Sequence, residues 1–349
     1  MTPETKLKAQ NIGIITGIGL IFGLLYNYLY YPHSLTEFLE AGTISILLGL
    51  VVGVLENFVF VKVFQRITFL TLTLIRATLY ALLTSVILCL VLSIEISMVE
   101  QISYSEAVVQ YLKSPLFRRD FQFSFFFVGL MLFIFEIIVL IGRANFVRLI
   151  LGRYHQPHEV TRIFMFVDIK GSTTIAEKLS NKDYSAFIRD YFYDVSDAIM
   201  MFGGEIYQYV GDEIIVVWPR RKDNSNCIRS FFKMDEVIQE QRQVYLDKYG
   251  FVPEFKAGIH IGKAIITSVG KQKKELVYHG DVLNTTSRIE GKCNELGQRL
   301  LVSSDLLAHI HLDDDFTIEE KGEIELRGKE RKLPLYGISA ATATKTVDA

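Results

Sequence analysis

The chain has 349 residues, of which 50% are hydrophobic, and its formal net charge at pH 7 is −2. This composition excludes a disordered chain, a collagen and a coiled-coil rod, and the near-neutral charge gives no indication of a nucleic-acid partner. The three cysteines (Cys89, Cys227 and Cys293) are too widely spaced for a disulfide framework or a zinc site.

Charged residues are distributed unevenly along the chain. Residues 1–150 contain 10 Lys and Arg with 9 Asp and Glu, whereas the remaining residues contain 27 and 30. We therefore predict a membrane domain over residues 1–142, a helical connector over 143–160, a globular domain over 161–340 and a tail over 341–349.

Four apolar stretches in the first domain are each long enough for a transmembrane helix, which needs about 20 mostly apolar residues. The predicted spans are about 11–31, 41–61, 77–95 and 121–142. The first run is long and lacks a small-residue cleavage site, so we interpret it as a span rather than a signal peptide.

An even number of spans places both termini on one side of the membrane. The basic residues that this arrangement puts on the cytoplasmic side are Lys6, Lys8, Lys62, Arg66, Arg76, Arg143, Arg148 and Arg153. Basic residues favour cytoplasmic loops, so we predict a multi-pass protein of the cell membrane with both termini and the globular domain in the cytoplasm. Lys113, Arg118 and Arg119 run against this topology, because they fall in the second outer loop.

Glu56, Arg76 and Glu136 lie within or at the edge of predicted spans. Charged side chains in a membrane are costly and are usually paired or functional. We favour the interpretation that all three reach the headgroups at the cytoplasmic ends of their helices. The alternative is a cluster in which Arg76 pairs with the two glutamates and couples the helices to the domain that follows.

The globular domain alternates strands and helices. An apolar run at 162–168 predicts a buried strand, and apolar residues at helical spacing over 184–202 predict an amphipathic helix. The Gly-Asp-Glu sequence at 211–213 predicts a hairpin, and a strand pair is expected over 255–269. Because several strands meet in hairpins, we predict an α+β fold, an α/β sandwich with an antiparallel-rich sheet.

Two aspartates carry the chemical prediction. Asp168 ends the first strand, and Asp212 lies in the hairpin turn 44 residues later, so folding can bring both carboxylates to one point. Mg²⁺ uses few protein carboxylates and takes its other ligands from water and phosphate. Backbone N–H groups at a helix start can bind phosphate, and a helix start is expected at Lys170, Gly171, Ser172 and Thr173. Carboxylates beside such amides are typical of a nucleoside-triphosphate site.

A third candidate is the pair Asn284 and Arg288, which lie four residues apart on one predicted helix face. An amide and a guanidinium that project together suit a ribose and a charged phosphoryl transition state. The competing interpretation is an ordinary surface pair on a helix.

Five stretches then match a known family in order and spacing: FMFVDIKGSTTIAEKL, FGGEIYQYVGDEIIVVWP, AGIHIGKA, YHGDVLNTTSRIEG and EIELRGKERKLPLYGI. On these motifs, residues 161–338 resemble the class III adenylyl/guanylyl cyclase catalytic domain of the membrane-anchored bacterial type. The resemblance implies the ferredoxin-like fold of that domain, and it covers a little over half of the chain.

The resemblance also implies an enzyme that converts ATP to 3′,5′-cyclic AMP and pyrophosphate. Asp168 and Asp212, with the Ile169 carbonyl, would hold two Mg²⁺ or Mn²⁺ ions, and Asn284 and Arg288 would orient the ribose and stabilise the transition state. In the family these two sets come from different subunits, which implies a homodimer through the catalytic domains and the membrane helices. The phosphate contacts implied beyond the helix start are Lys263 and Arg327.

The sequence departs from the family pattern where the base is read. Gln208 and Val277 stand at the two base-selecting positions. A Gln amide can face adenine or guanine, whereas Val makes no hydrogen bond. We favour ATP, and two alternatives stay open: a guanylyl cyclase that converts GTP to cyclic GMP, and a catalytically inactive nucleotide-binding regulatory module. A transporter is disfavoured, because the spans show no broken helices.

Overall fold

The computed structural model describes residues 3–30, 34–58, 69–141, 157–221, 224–271, 275–325 and 332–341. The chain divides into two compact units, residues 1–150 and 151–349.

The first unit consists of helices: α1 (Pro3–Tyr30), α2 (Leu35–Phe58), α3 (Phe69–Glu100), α4 (Tyr104–Lys113) and α5 (Pro115–Ile141). Among the described residues, all of these except α4 are long and apolar enough to cross a membrane. The prediction of four such helices is confirmed. Each helix begins six to eight residues before its predicted span, because helical geometry continues into polar residues that an apolar run does not include.

Glycines allow α1 and α2 to approach closely. Gly19 and Gly23 on α1 and Gly49 and Gly53 on α2 each form a Gly-x-x-x-Gly sequence. A Cβ atom on Gly49 would lie 2.6 Å from the Cα atom of Thr16. Small residues at this spacing bring helix backbones together in membranes, so the packing of this helix pair depends on these glycines.

The helix α4 lies in a segment that the sequence analysis treated as a loop. Its first turn is closed by a capping box: the Ser103 hydroxyl accepts from the Glu106 backbone N–H, and the Glu106 carboxylate accepts from the Ser103 backbone N–H at 3.0 Å. Ala107 and Tyr111 are buried. A ten-residue helix is marginal by itself, so packing and capping, which hydropathy does not report, account for the missed prediction.

The Arg76 side chain is buried within the first unit, with 1% of the residue exposed. Its Nη1 atom lies 3.4 Å from Oε2 of Glu56 and 3.2 Å from Oε1 of Glu136. Tyr80 donates a hydrogen bond to Oε1 of Glu56 at 2.7 Å. The favoured interpretation of separate charges at the headgroups was wrong, because α3 begins at Phe69 and Arg76 therefore lies two turns inside the helix. The alternative pairing is confirmed, and its coupling role stays a prediction.

The second unit is built on one mixed sheet. Its strands are β1 (His158–Ile169), β2 (Glu205–Val210), β3 (Glu213–Pro219), β4 (Phe255–Val269), β5 (Glu275–His279), β6 (Leu300–Ser303), β7 (Phe316–Glu325) and β8 (Lys332–Ala340). They follow the order β2-β3-β1-β4-β6-β8-β7, with β5 paired to the far half of β4. Among the described strands only β4 and β6 pair in parallel, so the predicted antiparallel-rich α+β sheet is confirmed.

Helices cover both faces of this sheet. They are α6 (Ser172–Lys178), α7 (Asn181–Met201), α8 (Asn226–Glu240), α9 (Arg242–Tyr249), α10 (Asp281–Gly291) and α11 (Ser304–Leu307). Alternate residues of β1 face opposite sides: Met165 packs in the cluster with α7 and α8, whereas Phe164 and Phe166 pack in the cluster with β5 and α10. The result is a sandwich whose central strand is buried on both faces.

The predicted strand pair over 255–269 is instead the single strand β4. Two glycines within β4 allow a helix to pack closely on the strand and do not form a turn. A Cβ atom on Gly258 would lie 2.7 Å from the Cα atom of Glu290, and one on Gly262 would lie 2.9 Å from a methyl carbon of Val282. The helix α10 therefore packs directly on the backbone of β4 at these positions.

Candidate active site

Asp168 and Asp212 come together as the sequence analysis predicted. Asp168 lies at the end of β1, and Asp212 lies in the turn between β2 and β3, where Gly211 has a φ of +65°. Because β1 pairs with β3 up to the contact of Val167 with Ile214, the end of one strand lies beside the start of the other. The two carboxyl groups lie close enough for Asp212 to raise the pKa of Asp168.

The electrostatics of this pair favour a bound cation. Burial, the hydrogen bond with Asp212 and the charges of Asp212 and Glu290 raise the pKa of Asp168 to about 6, against the opposing effect of Lys256. The Oδ2 atom of Asp212 is buried and has no hydrogen-bond partner among the described residues. A buried acceptor without a partner, beside a second carboxylate, fits a divalent ion.

Glu213 adds to the negative charge of the site. Burial, followed by the charges of Glu290, Asp168 and Asp212, raises its pKa to about 7, while Lys256 again acts in the opposite direction. Within the part of the chain that the structure describes, no three His, Cys, Asp or Glu side chains form a metal-binding group. Two carboxylates and a backbone carbonyl such as that of Ile169 form the incomplete donor set from which Mg²⁺ is bound together with phosphate.

A buried ion-pair network that the sequence analysis missed lies under the aspartates. Lys256 on β4 is directly opposite Asp168 in the strand register. Its Nζ atom lies 3.3 Å from Oδ2 of Asp168 and 2.5 Å from Oε1 of Glu290. Lys256 and Glu290 are each 7% exposed. The Lys256 ammonium group therefore contacts the Asp168 carboxylate, which also lies close to the Asp212 carboxylate.

The sequence does carry a signal for both missed residues. Lys256 is the only charged residue in the apolar first half of β4. Glu290 follows Val282, Thr286 and Ile289 at helical spacing, which places it on the buried face of α10. A charged residue on a buried face requires a partner of opposite charge, and here Lys256 and Glu290 are each other's partners.

The predicted phosphate-binding segment follows directly on Asp168. Gly171 has a φ of +68° and caps α6 without any side-chain hydrogen bond to the first turn. The Lys170 backbone N–H donates to the Glu254 carbonyl at 2.8 Å, and its Nζ atom lies 3.7 Å from the Glu254 carboxylate. Ser172 and Thr173 form the first turn of α6. That these residues contact phosphate stays a prediction.

Asn284 and Arg288 both lie on α10, but the structure does not bring them to the carboxylates. Asn284 is exposed, whereas Glu290 on the buried face of the same helix reaches Lys256. The Arg288 guanidinium donates to the carbonyl of Glu325 at 3.5 Å. Among the described residues, no hydrogen bond or ion pair joins Asn284 or Arg288 to Asp168 or Asp212.

The candidate base-selecting residues lie on strands that approach each other. Gln208 is exposed beside a bulge in β2, and Val277 is half-buried on β5. Their neighbours Tyr207 and Tyr278 have ring centres 5.1 Å apart, and the Tyr207 hydroxyl accepts from the Tyr278 backbone N–H at 3.3 Å. Base selection by Gln208 and Val277 stays a prediction.

Lys263 and Arg327 are the two other basic residues that were predicted to contact phosphate. Lys263 lies seven positions along β4 from Lys256, roughly 23 Å away at the rise of a β-strand. It forms an exposed ion pair with Glu159 at 2.8 Å, so it is not part of the carboxylate site of its own chain. Arg327 falls outside the described residues.

Comparisons with known proteins identify the family of the chain. Residues 154–340 match the family model of the adenylate and guanylate cyclase catalytic domain. The match covers more than half of the chain, and the chain therefore belongs to this family.

Relatives in this family include two proteins of Rhizobium meliloti (strain 1021). Adenylate cyclase 2 is 33% identical over 216 residues, which are 61% of this chain and 60% of that protein. Adenylate cyclase 1 is 28% identical over 204 residues, 57% of this chain and 30% of that protein. The chain thus spans less than two thirds of either relative. A solved bacterial light-regulated adenylyl cyclase shares the fold, with a TM-score of 0.52 and 18% identity over 61% of this chain and 64% of that one.

Proposed function

We propose that the protein is a membrane-anchored adenylate cyclase that converts ATP to 3′,5′-cyclic AMP and pyrophosphate. The observation that carries the proposal is the joined pair of Asp168 and Asp212, with the unpartnered Oδ2 atom of Asp212. Membership in the cyclase family and the names of the two Rhizobium relatives support it.

In this proposal Asp168, Asp212 and the Ile169 carbonyl hold two Mg²⁺ or Mn²⁺ ions. Such ions neutralise phosphate charge and acidify a ribose 3′-hydroxyl. Within the chain, Lys256 positions the Asp168 carboxylate. The Lys256 ammonium group lies against Asp168 and favours its charged form, whereas repulsion from the Asp212 carboxylate disfavours that form. The first turn of α6, directly after Asp168, faces the triphosphate with backbone N–H groups.

A second copy of the chain completes the site in this proposal. Asn284 is exposed and Arg288 contacts the Glu325 carbonyl rather than the carboxylates of its own chain, which supports a site shared between two subunits. The planar Arg288 guanidinium would stabilise charge that develops on the α-phosphate, and Asn284 would hold the ribose. A homodimer of this kind has two equivalent sites.

ATP is the proposed substrate, and Gln208 is the residue proposed to face its base. The side-chain amide can donate to one purine edge, while Val277 offers no polar atom. A site without a buried polar partner discriminates weakly against the other base. We therefore expect measurable turnover of GTP beside that of ATP.

The experiment uses the full chain in membranes with Mn²⁺ or Mg²⁺, and measures cyclic AMP from ATP and cyclic GMP from GTP. Asp212→Asn should abolish both products, because it removes a charge from the proposed metal site. The matched control is Asp314→Asn, in an exposed turn of the same unit, which should leave turnover unchanged. Absence of product from the unaltered chain, with nucleotide still bound, would support the inactive regulatory module instead.

The shared site has its own test, in which two inactive variants are produced together. Asp212→Asn chains paired with Arg288→Ala chains have one intact site in each mixed dimer. With random pairing, about a quarter of the unaltered activity should return. No recovery, with mixed dimers demonstrated by two affinity tags, would contradict the arrangement.

The four apolar helices are proposed to cross the cell membrane, with both termini and the catalytic unit in the cytoplasm. Basic residues at the predicted cytoplasmic ends support this orientation. Several of them lie outside the described residues. Protease protection of a C-terminal tag in sealed, right-side-out vesicles tests it, and digestion of the tag from outside would reverse the topology.

A further inference from the structure

The helices α1, α2, α3 and α5 line a partly open cavity of about 300 Å³ within the first unit. Most of its wall is apolar and includes Phe22, Leu48, Leu88 and Phe127. This volume is at the lower end of the range for small-molecule sites. The cavity therefore suits a slender apolar molecule rather than a bulky one.

One end of the cavity carries three carboxylates, those of Glu37, Glu40 and Glu95. Glu37 and Glu40 lie close enough to Glu95 for their charges to act on it. The Oε2 atom of Glu37 is buried without a hydrogen-bond partner. We call this the carboxylate end, and no Lys or Arg side chain of the described residues offsets its negative charge by an ion pair.

The opposite end of the cavity also contains a carboxylate, that of Glu56 beside Tyr80. Here the charge is already compensated, because Glu56 pairs with Arg76 and accepts a hydrogen bond from Tyr80. A cation that entered the cavity would therefore be attracted to the carboxylate end. The two ends thus define an orientation for an elongated ligand.

We propose that this cavity binds an amphiphilic amine. Its alkyl chain occupies the apolar space between the helices, and its ammonium group lies against Glu37, Glu40 and Glu95. Burial of the chain supplies binding free energy that does not depend on direction, and the ammonium–carboxylate contact supplies selectivity for the head group. A neutral or anionic molecule of the same length lacks the second contribution.

The test uses the full chain in phosphatidylcholine nanodiscs and a decylamine that carries a photoreactive diazirine on its alkyl chain. Labelled positions are mapped by mass spectrometry, so that amine dissolved in lipid is distinguished from amine in the cavity. Labelling should concentrate on Leu48 and Leu88, which line the cavity, rather than on Leu90, which is 52% exposed on the outside of α3. Unlabelled decylamine should displace the probe at about tenfold lower concentration than decanol, and decanoate should displace it least.

Two variants test the two parts of the site. Glu37→Gln combined with Glu40→Gln and Glu95→Gln should weaken decylamine about tenfold and leave decanol unchanged. Its control is Glu100→Gln, whose carboxylate accepts from Gln110 and does not line the cavity. Leu88→Trp fills the cavity and should abolish labelling by any probe, whereas Leu90→Trp, on the lipid-facing side, should not.

Either of two results would overturn the proposal. Equal displacement by decylamine and decanol would mean that the cavity accepts any apolar chain, a lipid tail included. Uniform labelling of the lipid-facing residues would mean that the cavity is not occupied. Thermal unfolding of each variant is measured in parallel, and if the triple variant fails to fold, Glu37→Gln alone is used, with the same direction of change expected.

Discussion

Lys256 is the single cation among the buried acids of the candidate site. Its Nζ atom lies within ion-pair distance of both Asp168 and Glu290, and the hydrogen bond and charge of Glu290 together with Asp168 raise the pKa of Lys256 although burial opposes this. Two acids that share one buried ammonium depend on it for their charged forms. We therefore expect Lys256 to contribute both to stability and to the arrangement of the carboxylates that are proposed to bind metal.

Lys256→Met should therefore destabilise the second unit by about 3 kcal/mol, because removal of one partner leaves buried charge uncompensated. Trp218 is the single tryptophan of the chain and is buried in this unit, so its fluorescence during denaturation reports the unfolding of this unit in the full chain. Lys263→Met, which breaks only the exposed pair with Glu159, is the control and should change stability much less than Lys256→Met. Equal effects of the two substitutions would contradict the buried network.

Cys293 gives a prediction about pH. Burial, followed by the charge of Glu290, raises the pKa of its thiol to about 12. The thiol pKa is higher in the folded protein than its unfolded value of 9.0, so the protonated thiol adds to the free energy of unfolding at pH values below about 9. That addition is lost as pH rises from about 9 towards 12. The free energy of unfolding should fall over this interval, and the fall should be smaller in Cys293→Ala. Identical pH profiles for the two proteins would show that the thiol does not contribute.

At the scale of elements, the contact of β4 with α10 places Lys256 and Glu290 in reach of each other. Gly258 makes this contact possible, since a Cβ atom there would overlap the backbone of Glu290. Gly258→Ala should displace α10 and cost about 1–3 kcal/mol, measured by Trp218 fluorescence. The control is Gly291→Ala at the end of the same helix, where a Cβ atom meets nothing within 4 Å and helix propensity predicts neutrality or a slight gain.

The elements also show which predictions a sequence can support. The hairpin that carries Asp212 and the strand that ends at Asp168 were predictable, because turn residues and apolar runs are local signals. The pairing of Asp168 with Lys256 was not, since these two residues lie 88 positions apart and their contact requires the register between β1 and β4. The single strand β4 was not predicted for a related reason: its inner glycines admit the helix α10, a contact that the sequence alone does not show.

The same limit applied to Arg76. Its position in the chain suggested a helix end, whereas its partners come from α2 and α5, whose packing the sequence does not specify. By contrast, the four apolar helices themselves were predictable, because the length and hydropathy of a span are set by the bilayer rather than by its neighbours. The helices can therefore be predicted from the sequence, whereas the interactions between them are known only from the structure.

At the scale of the whole molecule, Arg76 connects the three apolar helices α2, α3 and α5 near the end of α5. Arg76→Met should lower the thermal stability of the first unit, because Glu56 and Glu136 would remain as buried, repelling carboxylates. The combination with Glu56→Gln and Glu136→Gln should restore most of the loss. Heat-induced aggregation of the chain in nanodiscs measures both, with the exposed Arg118→Met as control. An unchanged transition in Arg76→Met would show that the cluster is dispensable.

The short helix α4 has a mechanical consequence. Its capped first turn follows α3 closely, and Tyr111 near its end donates a hydrogen bond to Asp120 of α5 at 2.9 Å. Because α4 follows α3 closely and is hydrogen-bonded to α5, we expect α3 and α5 to move together as one helical hairpin rather than to slide past each other.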